Sequence, residues 1–112
     1  MELHNAGKYQ EASELFRNLV EKNPLNSRYY YWLGVTLHRM KLYVDALKEK
    51  QRALKLEPNN ALYHSSLGVT LYEMGHYEEA LKETQRALEL DPDNALYHNS
   101  LGVTLRELGC SI

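Results

Sequence analysis

Leu33-Gly34-Val35-Thr36-Leu37 stands again, unchanged, at Leu67–Leu71 and at Leu101–Leu105, each copy 34 residues after the one before. Pro24, Pro58 and Pro92 keep the same interval. A fixed period in this range marks a tandem array, in which each supersecondary unit is too small to bury its own apolar face and leans on its neighbours. The fold therefore follows from one unit and the way it repeats.

Working outward, Ala61–Gly75 and Ala95–Gly109 differ at only three of fifteen places, and a more divergent copy begins at Ser27. Between these copies run Tyr43–Leu56 and Tyr77–Leu90, near copies of each other, with Tyr9–Val20 a more distant relative. Both segment types read as helices, because apolar residues recur three and four apart without a Pro. Tyr30, Leu33, Gly34 and Leu37 make one stripe; Ala46, Leu47, Ala53 and Leu54 make the other. Asn26, Asn60 and Asn94 each sit two residues after a Pro that stops the previous helix, where an N-cap is needed. Gly7 and Gly75 fall where a left-handed turn residue is favoured between paired helices. Connections this short force antiparallel hairpins. The expected layout is a helical stub over Met1–Ala6, then helices near 8–22, 27–40, 42–56, 61–74, 76–90 and 95–109.

The grouping by period is one repeat domain over 1–112, with a partial repeat 1–26, repeats 27–60 and 61–94, and a half repeat 95–112. The chain starts and stops within one helix type, as expected of a piece of a longer solenoid or of a small protein that covers its ends in another way. A net charge of −2 supplies no basic field for gripping phosphates, so no nucleic-acid partner is expected. The longest nearly apolar stretch, Tyr29–Leu37, falls far short of the ~20 residues that cross a bilayer, so no membrane role is expected. The N-terminus lacks the basic start and apolar run of a secretory signal, which makes a cytoplasmic location the default expectation. Cys110 is alone, frames no intramolecular disulfide and reads as a bystander.

The array resembles the tetratricopeptide repeat, whose 34-residue signature is W-x2-L-G-x2-Y, then A-x3-F, then P. Leu33-Gly34, Leu67-Gly68 and Leu101-Gly102 match the Leu-Gly pair, while Ala12, Ala46 and Ala80 match the first Ala. Ala53 and Ala87 match a later small position, and Pro24, Pro58 and Pro92 close each unit. The resemblance implies an all-α solenoid of stacked antiparallel helical hairpins, wound as a right-handed superhelix. The departures lie at the aromatic positions: Tyr30, His64 and His98 for Trp; Leu37, Leu71 and Leu105 for Tyr; Phe16 kept, then Lys50 and Thr84.

No catalytic constellation or cofactor site is expected, because an enzyme needs a convergent nucleophile, base and electrophile in a cleft. His64 and His98 occupy equivalent places in successive repeats. Packed helices lie ~8–10 Å apart, whereas zinc holds an imidazole nitrogen at ~2.0–2.1 Å, so no metal site is expected and His64 and His98 read as stand-ins for the family's aromatic at the helix seam. His4 and His38 are again one period apart, and His76 belongs to a turn. Glu73, Glu78, Glu79 and Glu83 read as carboxylates on solvated faces, with Glu49/Arg52 and Glu83/Arg86 as ordinary three-apart pairs worth ~0.2–0.5 kcal/mol.

Each first-type helix keeps a second stripe: Arg28, Tyr31, Val35, His38; Leu62, Ser65, Val69, Tyr72; Leu96, Asn99, Val103, Arg106. The resemblance implies that this stripe lines a concave groove where a partner peptide or helix docks, with Val35, Val69 and Val103 as its floor. Aromatic and Arg anchors in a concavity are usual carriers of binding energy. The bland alternative is that these residues only pack between repeats. Family members that clamp the acidic C-termini of heat-shock chaperones use Lys, Asn and Arg on this groove. The corresponding places here carry Tyr31, Val35, Ser66, Leu96 and Ser100, so the clamp is absent and an amphipathic helix is the favoured ligand.

Tyr97, Leu101, Leu105 and Leu108 form a face that a following helix would cover, which predicts self-association through that end or a swap of terminal helices. The function expected is thus a noncatalytic protein–protein interaction scaffold. The alternatives are a homo-oligomerisation module and an RNA-reading helical repeat, the latter disfavoured by charge and by a period one residue too short.

Overall fold

In a computed structural model the described residues are 2–109, with side chains from residue 7 onward. Among them run α1 (Glu2–Lys22), α2 (Ser27–Arg39), α3 (Tyr43–Leu56), α4 (Ala61–Glu73), α5 (Tyr77–Leu90) and α6 (Ala95–Glu107). Cys110 and the side chain of His4 lie outside the described residues.

The three asparagines do the capping expected of them. Asn26 accepts from the Arg28 N–H at 3.1 Å, Asn60 from Tyr63 at 3.1 Å, and Asn94 from Leu96 and Tyr97 at 3.0 and 3.2 Å. Each bond satisfies a helical N–H that has no intrahelical partner. α3 and α5 end as Glu57 and Asp91 swing to φ −135° and −142°, the extended backbone that a following Pro imposes.

Within each hairpin the turn is a left-handed C-terminal motif. Lys41 (φ 63°) and Gly75 (φ 81°) reverse the chain, and the next N–H reaches back five residues, Leu42 to Leu37 and His76 to Leu71, both at 2.9 Å. Gly7 does not turn the chain: it lies inside α1, which continues back to Glu2. The expected stub and first helix are therefore one helix. A six-residue stub offers too few turns to hold an apolar face against a partner, so intrahelical bonding prevails.

The chain divides into two compact units, Met1–Pro58 and Asn59–Ile112. In the first, α2 packs on α1 and α3 around Leu33, Leu37 and Ala46, with Phe16 and Val20 against them. In the second, Tyr63, Leu67, Leu71, Ala80, Ala87 and Tyr97 are buried where α5 packs on α4 and α6. Each such leucine contributes on the order of 1.5–3 kcal/mol through removal from water. Small residues set how closely the helices approach. A Cβ on Gly34 would meet Lys50 Cγ at 2.6 Å and the Ala46 carbonyl at 3.2 Å; one on Gly68 would meet Thr84 Oγ1 at 3.2 Å and the Ala80 carbonyl at 3.3 Å.

Candidate partner-binding cleft

In the second unit α4 and α6 lie side by side, and their facing stripes leave a cleft of about 170 Å³. Val69 and Tyr72 of α4 line one wall and Asn99 and Val103 of α6 the other. Gly68, Thr84, Ser100 and Thr104 form the rest of its lining. Four residues of the expected groove stripe are thus brought together, with apolar walls and a few polar atoms among them. Gly68 adds no side chain to the lining, and Thr104 turns its hydroxyl inward to the Ser100 carbonyl at 2.8 Å, which removes a competing donor.

Tyr72 gives the cleft its polar end. Its hydroxyl is bonded to the Glu107 carboxylate, and burial first, then the charge of Glu107, raises its pKa above the usual phenol value. Its ring tilts against Tyr77 at 5.2 Å between centroids. Leu62 and Leu96, at the start of the two helices, are 48% and 74% exposed, so apolar surface continues beyond the cleft itself. Ser65 is half-buried on α4, and Arg106 is exposed on α6.

The stripe of the first unit is less uniform. Tyr31 is half-buried and stacks edge-on against the exposed Trp32 at 5.1 Å; Val35 is half-buried; His38 meets Tyr43 edge-on at 5.1 Å. Burial chiefly, then Lys50 and Arg39, lower the His38 pKa to about 4, so the ring is neutral at ordinary pH. Arg28 is placed elsewhere: it lines an open depression of about 600 Å³ with Asn23, Leu25, Leu56 and Glu57, where the Ser27 hydroxyl donates to the Glu57 carboxylate.

Several expectations change on the structure. Tyr97 is 6% exposed and belongs to the core, because it follows the period of Tyr63, which is 3% exposed. It cannot form part of an open terminal face, which reduces to the half-buried Leu101, Leu105 and Leu108. Glu49 pairs with Arg52 at 3.2 Å as expected, but is itself 8% exposed, so the pair is half in the packed interior. Glu83 turns from Arg86 to His64 Nδ1 at 2.8 Å, while Arg86 donates to Asn59 at 3.0 Å and pairs with Glu89 at 3.6 Å. His64 and His98 act separately, the latter donating from Nε2 to the Pro92 carbonyl at 2.7 Å. Among the described residues no three His, Cys, Asp or Glu side chains gather as a metal cluster, and no helix is long and apolar enough to cross a membrane.

Sequence reasoning missed Gly68, Thr84 and Thr104 as cleft residues, and had Ser100 on the groove only as a place where the clamp is absent. The signal for Thr104 was present, since Thr36, Thr70 and Thr104 repeat inside the decisive pentapeptide and are all buried.

With this geometry in place, the comparisons agree. Tetratricopeptide repeat profiles match residues 2–61, 51–82 and 70–109, and the chain belongs to the tetratricopeptide repeat family. Its fold is that family's all-α solenoid. Among solved structures it is similar to the first such domain of Spaghetti (RPAP3) bound to the HSP90 peptide SRMEEVD. That match is 25% identical, covers 96% of this chain and 86% of the other, and has a TM-score of 0.88. The NMR structure of the first domain of human RPAP3 matches at 25% identity, over 96% and 85% of the two chains, with TM-score 0.88. The structure of MamA 41-end from Desulfovibrio magneticus RS-1 matches at 27% identity and TM-score 0.86, over 96% of this chain and 60% of that one. No curated protein sequence matches the chain.

Proposed function

We propose that this protein is a noncatalytic interaction scaffold that receives a partner's amphipathic helix or apolar peptide on the first-type helices of its second unit, α4 and α6, with the cleft between them as the anchor pocket. The observation that carries this reading is the meeting of Val69, Tyr72, Asn99 and Val103 around one cavity. Its volume suits a single branched aliphatic or Met side chain. Asn99 and the Tyr72–Glu107 pair stand at the rim to bond a partner's backbone or polar flank.

A protein structurally similar to this one holds an acidic HSP90 peptide. Where the family's carboxylate clamp has Lys, Asn and Arg, the first unit carries Tyr31 and Val35 and the second Ser66, Leu96 and Ser100, so neither unit supplies a cationic cradle for an acidic C-terminus. Two synthetic probes separate the readings by NMR chemical-shift mapping: the peptide SRMEEVD, and a designed amphipathic helix with Leu at i, i+3, i+4 and i+7. The helix is expected to shift the amides of Val69, Asn99 and Val103 and to lose affinity in Val103→Arg by about tenfold or more, through filling of the pocket. Saturable binding of SRMEEVD in preference to the helix would overturn the proposal.

A further inference from the structure

α6 is the third copy of a helix whose other copies, α2 and α4, each pair with the second-type helix that follows them, α3 and α5; among the described residues α6 packs on α5, the one that precedes it. On α2, Leu33 and Leu37 are 1% exposed; on α4, Leu67 and Leu71 are 5% exposed. On α6, Leu101 and Leu105 are half-buried, and a Cβ on Gly102 would meet nothing within 4 Å. α1 shows the converse. It is a second-type helix packed on α2, yet Ala12 is half-buried where its equivalents Ala46 and Ala80 are 0% and 1% exposed, and Leu15 is 56% exposed. Among the described residues each helix therefore presents one half of a hairpin seam.

We propose that α6 of one copy docks on α1 of a second copy, head to tail, so that the two together complete a helical hairpin. The register follows from the period. Gly34 lies against Ala46 and Lys50, and Gly68 against Ala80, Glu83 and Thr84; one further step of 34 sets Gly102 against Ala12, Leu15 and Phe16 of the second copy. The open space at Gly102 then faces Phe16, the largest side chain of its series, which is only partly buried against Leu33, Leu37 and Ala46 of its own chain.

The chemistry at the hairpin mouth matches as well. His38 meets Tyr43 at 5.1 Å and Tyr72 meets Tyr77 at 5.2 Å; the next pair in this series is Arg106 with Tyr9 of the second copy, a cation facing an aromatic ring. Where the hairpin of the second unit bonds His64 to Glu83, this seam sets His98 near Leu15, an apolar contact in place of a polar one. The two faces differ, so the contact is heterologous: α6 does not pair with α6. This inference stands apart from the cleft, since neither Leu15 nor Gly102 lines it.

The test uses the 112-residue chain in sedimentation velocity from micromolar to millimolar concentration, with helicity checked by circular dichroism. Wild type is expected to gain mass with concentration, whereas Leu15→Glu and Gly102→Arg are each expected to stay monomeric. Mixed together, those two variants retain one good α6 face and one good α1 face between them, and should form a one-to-one dimer and nothing larger. Arg106→Glu, an exposed position that keeps the fold intact if Gly102→Arg does not, should weaken association about tenfold. A wild-type monomer throughout, a mixture that fails to pair, or loss of association in Gly102→Arg but not in Leu15→Glu would overturn the proposal, the last by pointing to an α6–α6 contact.

Discussion

The seam of α2 with α3 and the seam of α4 with α5 share a backbone plan and differ in what lies over the glycine. Over Gly34 lies Lys50, 3% exposed, its pKa lowered from 10.5 to about 8 by burial first and then by the charge of Arg39. Over Gly68 lies Thr84, also 3% exposed and uncharged. The first seam thus holds an ammonium away from water, while the second places its charge at the margin, where Glu83 bonds His64 at 2.8 Å. The helix bounds nevertheless repeat at the period, because caps, turns and the buried pairs Ala46/Ala53 and Ala80/Ala87 are common to both. The hairpin's geometry is set by its small residues and helix ends, and the position over the glycine is free to vary in chemistry.

The largest effect that would sharpen this contrast comes from Lys50→Met, which keeps most of the stem and removes the charge. Folded Lys50 gives up its proton near pH 8 and the unfolded side chain near 10.5, so the unfolded chain holds more protons across that window and wild-type stability rises with pH there. The variant is expected to be more stable at neutral pH by something on the order of 3 kcal/mol, the gap closing above pH 10.5, as read by urea melts at several pH values. Folded His38 titrates near 4 and unfolded His38 near 6.5, so its contribution to stability falls as pH drops through that interval. In Lys50→Met its imidazole signal should titrate at higher pH, because one cause of the lowering is gone.

Next come the glycines. Gly34→Ala should destabilise by about 2 kcal/mol, since backbone atoms of Ala46 and Lys50 stand in the way as well as a movable side chain, and Gly68→Ala by somewhat less. Gly102→Ala, with open space around it, should instead stabilise by about 0.5–1 kcal/mol through helix propensity. Equal losses at all three would break the account of close approach. The smallest effect lies in the turns: Lys41→Gly should stabilise by about 1 kcal/mol by relieving a left-handed φ that Gly75 already accommodates, and Gly75→Lys should reverse the sign.

The fold was legible because the period multiplies weak signals. A lone Asn after a Pro says little, but three at one interval locate three helix starts. The same reasoning failed at Gly7, which shares the interval of Lys41, Gly75 and Gly109 but lacks their positive φ and continues α1. The cleft was half legible. Val69, Tyr72, Asn99 and Val103 stood out as a surplus apolar and polar stripe, whereas Thr84 contributes from α5, and no spacing within α4 or α6 announces it. Lys50 was visible as a departure from Phe, but its burial was not, since a charged residue on a helix ordinarily faces water.

Tyr30 and His98, one of the family's departures apiece, tether the Pro24 and Pro92 carbonyls at 2.9 and 2.7 Å. A carbonyl can only accept, so His98 is committed to the tautomer with its hydrogen on Nε2. Each of these two prolyl loops thus hangs from a ring six residues further along, and Tyr30→Ala or His98→Ala would hand its carbonyl back to water.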